Sequence, residues 1–191
     1  MIRYAGEIAR KSIHVASLAI PVTLYFLPEG LSRPLLLALT LVTLGVDVVR
    51  LHVPQVRTLF YFLFGRIIRD HERFNLLGST YLLMAALLCM YAFAKPVAVV
   101  ALAFVVVGDA TAALVGRRWG RIKILDKSLE GSLACFAACI LIGRLYPGNE
   151  ITWPMTLVGA FVATLFELLP IPLDDNLRMS LSAGFAMTLV S

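Results

Sequence analysis

Charged residues are scarce in this sequence, since only 15% of its 191 residues are Asp, Glu, Lys or Arg. Soluble domains carry about 25% charged residues, because their surface must be hydrated. The hydrophobic share is 60% and the mean hydropathy is +0.86. These values exclude a soluble globular domain and a disordered chain. The sequence therefore predicts a protein whose solvent is the lipid bilayer.

Cysteine is also scarce, and the three that occur all lie inside apolar runs. Cys135 and Cys139 are four residues apart on one predicted helix, and Cys89 stands alone. No second pair supplies the spacing of a zinc site, so this class of metal centre is excluded. We expect reduced, buried thiols with a structural role.

Long apolar runs are what the sequence has in abundance. A membrane helix needs about 20 residues, and several runs are nearer to about 16, which a thinned bilayer or snorkelling flanks can accommodate. The seven predicted spans are Ser12–Leu27, Pro34–Val49, Leu76–Phe93, Val97–Val115, Gly131–Tyr146, Pro154–Leu169 and Leu177–Val190. The prediction is an all-α, polytopic helical bundle with about seven transmembrane helices, forming a single catalytic domain over residues 1–191.

One apolar segment between the second and third spans is too short to cross a membrane. Phe60, Leu63, Phe64 and Ile67 follow the i, i+3, i+4, i+7 spacing of one helical face, and arginines flank them. This composition is typical of a helix that lies in the membrane interface. A buried connecting helix fits the same pattern.

The basic residues are distributed very unevenly between the two sides of the predicted bundle. With the N-terminus in the cytosol, 14 of the 17 Lys and Arg residues fall on the cytosolic side. Only Arg33, Lys95 and Arg144 fall on the opposite side. This is a strong positive-inside signal. It makes topology, rather than nucleic-acid binding, the explanation of the net charge of +5.

Topology does not explain the acids, yet ten of the twelve carboxylates share the cytosolic side. Asp47, Asp109 and Glu167 interrupt apolar runs. An ionisable group at such depth costs about 2.5–3.5 kcal/mol on insertion scales and usually faces a cavity or a partner. We therefore expect a polar cleft that opens towards the cytosol.

The segment from Gly108 to Ser132 combines small and basic residues. Gly108, Ala112 and Gly116 have the spacing of a close helix–helix packing face. Glycines, arginines and lysines come next in the sequence. Together with the start of the fifth span, they are well suited to bind phosphate oxygens. A basic loop that binds lipid headgroups is the alternative. The order of a Walker A loop is absent from the sequence, which excludes that nucleotide motif.

Two further clusters lie on the same predicted side. Asp174 and Asp175, beside Asn176, have the oxygen ligands that Mg²⁺ prefers, although acids also favour a helix N-terminus. Near the chain start, Glu7 and His14 share one helical face with Lys11. A packed interfacial histidine is the alternative for His14.

Taken together, these segments resemble the CTP-dependent lipid-alcohol kinases, which include dolichol, phytol and CTP-dependent diacylglycerol kinases and are distantly similar to phosphatidate cytidylyltransferases. The residues that carry the resemblance are, in chain order, EIARKSIHV (7–15), VDVVR (46–50), GSTY (78–81), GDATAALVGRRWGRIK (108–123), KSLEGSLA (127–134) and ELLPIPLDDN (167–176). They span nearly the whole chain. Ser79 departs from the small residue, commonly Ala, that the family has in the third segment.

The resemblance implies transfer of the γ-phosphoryl group of CTP, with Mg²⁺, to a membrane-embedded alcohol such as a polyprenol, phytol or diacylglycerol. The expected catalytic residues are Asp109, Lys127 and Glu130. The expected nucleotide-binding residues are Arg10, Lys11, Arg117, Arg121, Lys123, Ser128, Gly131 and Ser132. The expected metal ligands are Asp109, Asp174 and Asp175, and Asp109 is open between metal ligand and base. Further candidate site residues are Glu7, His14, Asp47, Glu167 and Asn176.

Two other functions remain open from the sequence. A phosphatidate cytidylyltransferase would make a CDP-lipid, but its Lys-Arg and Lys-Asp pattern is not present. A non-enzymatic lipid-binding protein or transporter would carry acids through the full depth of the bilayer. The expected partners are CTP and a lipid alcohol, with no nucleic acid, and small-residue faces would also allow a homodimer. The expected location is the plasma membrane of a prokaryote, with the site facing the cytoplasm.

Overall fold

The computed structural model describes residues 13–65, 67–68 and 70–191, and it is mostly helical. Eight helices occur in these ranges: α1 (Ala19–Phe26), α2 (Glu29–His52), α3 (Pro54–Phe64), α4 (Gly78–Ala92), α5 (Lys95–Trp119), α6 (Leu129–Leu145), α7 (Trp153–Leu168) and α8 (Asp175–Leu189). A 3₁₀ turn covers His71–Arg73, and residues 13–16 form one helical turn before α1. Each of the seven predicted spans contains a helix, and α3 occupies the short amphipathic segment.

Local sequence signals account for where several helices begin. Ser128, Thr152 and Asp174 are the N-caps of α6, α7 and α8, and each side chain accepts a backbone N–H of the first turn. Such caps satisfy N–H groups that have no partner inside the helix. Proline stands in the first turn of α3, α5 and α7, where its missing N–H costs no helical hydrogen bond.

Helix α5 is the centre of the bundle. It packs against α1, α4, α6, α7 and α8, and its residues 97–106 are buried. The outer surface of the bundle is also apolar, because α2 exposes a series of leucine and valine side chains. In the described residues α2 and α5 are long and apolar enough to cross a membrane, and Ile13–Phe26, Gly78–Ala92 and Trp153–Leu168 are shorter apolar helices. This architecture is consistent with an all-α membrane protein; the number of helices that cross stays a prediction.

The antiparallel order of the helices brings most of the predicted site residues to one end of the bundle, which we call the charged end. There α2, α5 and α7 finish and α4, α6 and α8 begin. The connection from α5 to α6 contains a feature that the sequence reasoning missed. It forms a small antiparallel hairpin, β1 (Lys123–Ile124) with β2 (Lys127–Ser128), and Leu125 in its turn has a φ of 56°.

The small-residue face on α5 is a packing surface, as the spacing predicted. A Cβ on Gly108 would lie 2.9 Å from Cys135 Sγ and 3.0 Å from Cys139 Sγ of α6. One added to Gly116 would lie 2.8 Å from Ser128 Oγ. These short distances mean that α5 and α6 approach more closely than larger side chains allow. The buried free thiols of Cys135 and Cys139 fill this interface, as the sequence predicted.

Replacing Gly108 by Ala is therefore expected to destabilise the bundle. Overpacking of a filled interior costs about 1–3 kcal/mol, which should lower the melting temperature in detergent micelles followed by circular dichroism. The matched control is Gly45→Ala on α2, where a Cβ meets nothing within 4 Å. There the better helix propensity of alanine should leave stability unchanged or raise it by up to about 1 kcal/mol. Equal shifts in the two variants would contradict the close α5–α6 packing.

Candidate functional site

A cavity of about 410 Å³ opens at the charged end, and we call it the acid-lined cavity. It lies between the start of α4, the C-terminal half of α5, the start of α8, the helical turn before α1, and α3 with the segment after it. Its lining residues are Ile13, His14, Ser17, Phe60, Phe64, Ile67, Ile68, Glu72, Leu77, Gly78, Ser79, Leu82, Asp109, Asp174, Asp175 and Asn176.

The lining combines acidic and apolar side chains. Four carboxylates, those of Glu72, Asp109, Asp174 and Asp175, lie on it together with His14 and Asn176. The remaining lining side chains are mostly aliphatic or aromatic, and many of them come from α3 and the segment that follows it. A cavity of this kind can hold a molecule that has a polar head and an apolar body.

The predicted catalytic aspartate faces this cavity. Asp109 lies on α5, and its Oδ2 is 3.4 Å from Nε2 of His14, with both side chains largely buried. Each of the two residues makes further interactions. His14 thus lies beside Asp109 on the cavity lining, and its role in the site stays a prediction.

The acids at the start of α8 have structural partners as well as a place in the cavity. Asp174 caps the helix, since its Oδ1 accepts the backbone N–H of Asn176 at 2.9 Å and the side-chain Nδ2 at 2.8 Å. The Asp175 carboxylate pairs with Arg178. The Oδ1 of Asn176 is buried and has no hydrogen-bond partner. An unsatisfied buried oxygen is costly and is typical of a site that receives a ligand.

A chain of charges links the cavity to the basic connection. Arg178, which pairs with Asp175, also donates to the backbone carbonyl of Glu167 at 3.4 Å. The buried Glu167 carboxylate pairs with Lys127 Nζ at 2.5 Å through Oε1, while its Oε2 has no partner. Lys127 is therefore held at the inner side of the hairpin. The Glu167 carboxylate contacts Lys127 and does not line the cavity.

The other predicted phosphate-binding cations lie outside the cavity. Arg117, Arg121 and Lys123 are exposed around the hairpin, and Arg117 makes interactions of its own. They form a basic surface beside Lys127 at the charged end. The structure thus brings the acids and the cations to the same end of the bundle but onto adjacent surfaces.

Of three residues predicted to contact phosphate, Ser128 and Gly131 have packing roles in this structure, and Ser132 has an unpartnered hydroxyl. Ser128 is buried, and its Oγ accepts the N–H of Gly131 at 3.2 Å as the N-cap of α6. A Cβ on Gly131 would lie 2.8 Å from the carbonyl oxygen of Ala112. Ser132 is buried, and its Oγ has no hydrogen-bond partner, unlike the Oγ of Ser128.

Glu130 holds the hairpin in place. Its carboxylate oxygens accept the backbone N–H of Ile122 at 3.2 and 3.3 Å. Hydrogen bonding to its own backbone N–H, and then to those of Arg121 and Ile122, lowers the pKa of this carboxyl despite some desolvation, and the Arg121 charge acts in the same direction. A carboxyl that stays ionised in this way anchors the loop, and it does not line the acid-lined cavity.

Asp47 also lies away from the cavity. It is fully buried, and its two oxygens are taken by Arg50, the N–H of Leu77 and the hydroxyl of Thr80. Conversely, Glu72 and the side chains of Phe60 and Phe64 line the cavity although they were not predicted as site residues. The available signal was the position of Glu72 on the acid-rich side, just before the third span.

Part of the predicted site cannot be placed. Glu7, Arg10 and Lys11 lie outside the described residues, as do Arg66 and Arg69 of the basic flanks. The assignment of Arg10 and Lys11 as nucleotide-binding residues, and of Glu7 as a further site residue, stays a prediction.

The expected magnesium site can be tested against the donors present. Within residues 13–65, 67–68 and 70–191, no three His, Cys, Asp or Glu residues are grouped closely enough to hold a metal ion. Mg²⁺ in phosphoryl-transfer sites is usually held by one or two carboxylates together with substrate phosphates. Asp174 and Asp175, with the unpartnered Oδ1 of Asn176, supply such an incomplete set of oxygen ligands. The donor chemistry therefore fits Mg²⁺ that arrives with a nucleotide.

Comparison with known proteins gives relatives but no family profile and no solved structure that matches. An uncharacterized protein of Rickettsia prowazekii is 27% identical over 96% of this chain and 94% of its own length. A CTP-dependent diacylglycerol kinase of Eremothecium gossypii is 29% identical over 97% of this chain and 68% of its own. A probable chloroplastic phytol kinase of Glycine max is 34% identical over 61% of this chain and 45% of its own. The resemblance carried by the motifs is thereby confirmed: this chain is similar to proteins named as CTP-dependent diacylglycerol kinases and phytol kinases.

Proposed function

We propose that this protein is a lipid-alcohol kinase that transfers the γ-phosphoryl group of CTP to the hydroxyl of a membrane-embedded alcohol. The observation that carries the proposal is the acid-lined cavity, which joins four carboxylates to an apolar wall. The relatives that are named as CTP-dependent diacylglycerol kinases and phytol kinases support both the donor and the lipid acceptor.

The acceptor would occupy the cavity with its hydroxyl towards the acids. Phe60, Phe64 and Leu82 would contact the lipid chain, and Asp109 would contact the head. The outer face of α3 exposes Leu59, Phe62 and Leu63. This helix therefore has apolar side chains on both its inner and outer surfaces, as a helix between a lipid layer and a lipid-binding cavity requires.

The nucleotide would bind across the boundary between the cavity and the basic surface. Arg117, Arg121 and Lys123 would attract the triphosphate, and Lys127, held in place by Glu167, would donate a remaining N–H to the phosphate that is transferred. Phosphoryl transfer depends on positioning and charge neutralisation more than on covalent chemistry. The Ser132 hydroxyl, which has no partner, is available to donate to a phosphate oxygen.

Asp174, Asp175 and Asn176 would hold Mg²⁺ when it arrives with CTP. The ion would supply neutralisation of the negative charge on the triphosphate.

Asp109 is the best placed residue to accept the proton of the acceptor alcohol. The alcohol oxygen forms a bond to the γ-phosphorus as the bond from that phosphorus to the oxygen of CDP breaks, and the proton passes to the Asp109 carboxylate. His14, at 3.4 Å, fixes the orientation of that carboxylate. The products are CDP and a lipid monophosphate. On this proposal the acid-lined cavity faces the cytoplasm, where CTP is available, and the protein is integral to the membrane.

The test is a phosphoryl-transfer assay on purified protein in mixed micelles with Mg²⁺. Each of CTP, ATP, GTP and UTP, labelled at the γ-phosphate, is offered with diacylglycerol, phytol and a polyprenol. We expect label in one lipid monophosphate, with CTP preferred and CDP released. Pyrophosphate release with phosphatidate would instead indicate a cytidylyltransferase. No transfer to any acceptor from any nucleotide would refute the kinase.

A further inference from the structure

Two full charges are buried together at the end of α2, outside the acid-lined cavity. Asp47 and Arg50 both have side chains with 0% exposure, and the guanidinium contacts Asp47 Oδ1 through Nη2 at 2.7 Å and through Nε at 3.0 Å. Taking such a pair out of solvent is expensive, so it contributes little stability beyond what apolar residues would give. Neither residue lines the cavity. A role other than stability or direct chemistry is therefore indicated.

The pair fastens the segment that leads into α4. Arg50 donates to the backbone carbonyls of Glu72 at 2.9 Å and Asn75 at 2.8 Å. The second oxygen of Asp47 accepts the N–H of Leu77 at 2.9 Å and the hydroxyl of Thr80 at 2.7 Å. Because three of these four contacts are to backbone groups, they fix the path of the chain itself.

The same pair also reaches α3. The Arg50 guanidinium lies over the ring of Phe60, 5.3 Å from its centroid, and its Nη1 is 3.5 Å from the hydroxyl of Tyr61. That hydroxyl donates to the carbonyl of Arg73 at 2.7 Å. One buried guanidinium thus connects α2, α3 and the segment before α4.

The fastened elements form one wall of the acid-lined cavity. Phe60, Glu72 and Leu77 each contact the pair and each line the cavity. Glu72 is fixed twice, since its carboxylate oxygen also accepts the N–H of Gly78 at 3.0 Å. Displacement of this wall would move Phe60, Glu72 and Leu77 relative to Asp109 and Asp175, which lie on other helices.

From this arrangement we infer that Asp47 and Arg50 are positioning residues that set the place of the lipid acceptor, by fixing the wall formed by α3 and residues 72–77. The inference rests on the proposed kinase function for its kinetic consequences. It assigns the pair to acceptor recognition and not to nucleotide binding or proton transfer.

The experiment compares Arg50→Lys with a matched control at the other end of the same helix. Arg33 also pairs with an acid on α2, Glu29 at 2.6 Å, donates to a backbone carbonyl of α4 and lies over an aromatic ring. Lysine keeps the charge but cannot reproduce the paired and backbone contacts of the guanidinium, so we expect Arg50→Lys to raise the KM for the lipid by about 10- to 100-fold. The KM for CTP should stay within about twofold of wild type, and Arg33→Lys should change neither constant.

Two milder variants, Tyr61→Phe and Thr80→Val, test the inference if Arg50→Lys does not fold. Each keeps both buried charges. Tyr61→Phe removes the hydrogen bonds of its hydroxyl with Arg50 and Arg73, and Thr80→Val removes the one to Asp47. Each should therefore raise the lipid KM several-fold in the same selective way. An unchanged lipid KM in both, or an equal rise in the two KM values, would overturn the inference.

A second readout does not require kinase activity. Photoactivatable diacylglycerol in micelles is crosslinked to the protein, and labelled peptides are identified by mass spectrometry. Labelling of the peptide that contains Leu77 and Leu82 should fall several-fold in Tyr61→Phe and remain at the wild-type level in Arg33→Lys. If wild type shows this labelling but no phosphoryl transfer, the proposed function fails and the positioning role stands. Equal labelling in the three proteins refutes the positioning role.

Discussion

Asp109→Asn should reduce phosphoryl transfer by about 100- to 10,000-fold, the range over which a general base contributes. The substitution keeps the size of the side chain and its ability to hydrogen-bond, but an amide cannot accept the proton of the alcohol. Asp109 lines the cavity and lies beside His14. The measurement is kcat with saturating CTP and lipid, on protein whose melting temperature matches wild type.

The same variant distinguishes the two roles that the sequence left open for Asp109. A base that is lost cannot be replaced by more metal, so the defect should persist across a Mg²⁺ titration. A lost metal ligand should instead be rescued in part at high Mg²⁺ concentration. The control is Asp126→Asn in the exposed turn of the hairpin, which should leave kcat unchanged. Near-wild-type turnover in Asp109→Asn would remove Asp109 from the site.

Lys127→Ala is the second substitution for which we expect a very large loss. Removing one preorganised group that stabilises developing charge costs about 100- to 1,000-fold in kcat. Lys127 is held in place by the hairpin and by Glu167, at 2.5 Å, so its ammonium group is fixed before the nucleotide binds. Lys123→Ala is the matched control, since Lys123 lies on the paired strand but is exposed. We expect that control to lose less than about tenfold.

Stability must be separated from turnover in this variant. Without Lys127 the buried Glu167 carboxylate has lost its cation, which lowers the stability of the protein. Lys127→Ala combined with Glu167→Gln removes that uncompensated charge, so the double variant should recover melting temperature. It should not recover turnover. Recovery of both properties would mean that Lys127 serves the fold alone and is not part of the phosphate site.

The sequence predicted the helices well because hydrophobic length and helix-start signals are local. The spacing of Phe60, Leu63, Phe64 and Ile67 predicted a helix between the second and third spans, and α3 covers these residues except Ile67. The small-residue spacing on α5 predicted a packing face. Antiparallel alternation then sufficed to bring Asp109, Asp174 and Asp175 to one end of the bundle. These conclusions need only the order of apolar and charged residues along the chain.

What could not be predicted depends on backbone partners. Asp47 was expected in a polar cleft because it is a carboxylate in an apolar run, but the N–H of Leu77 satisfies it, together with two side chains. The hairpin at residues 123–128 was missed because two-residue strands have no periodicity to detect. Ser128 was expected to bind phosphate, yet it caps α6. A sequence pattern shows which side chains are polar, but not which backbone groups they meet.

Arg178 introduces a complication for any mutational study of this end of the bundle. It pairs with Asp175 of the cavity and also donates to the carbonyl groups of Leu169 and Ile171, which follow the end of α7. The same guanidinium therefore closes a helix terminus and sets the charge at a candidate metal ligand. Effects of changing Asp175, Arg178 and Glu167 will consequently not add, because each variant alters the groups that the others contact. Only double-mutant cycles across this corner can assign free energies to its individual residues.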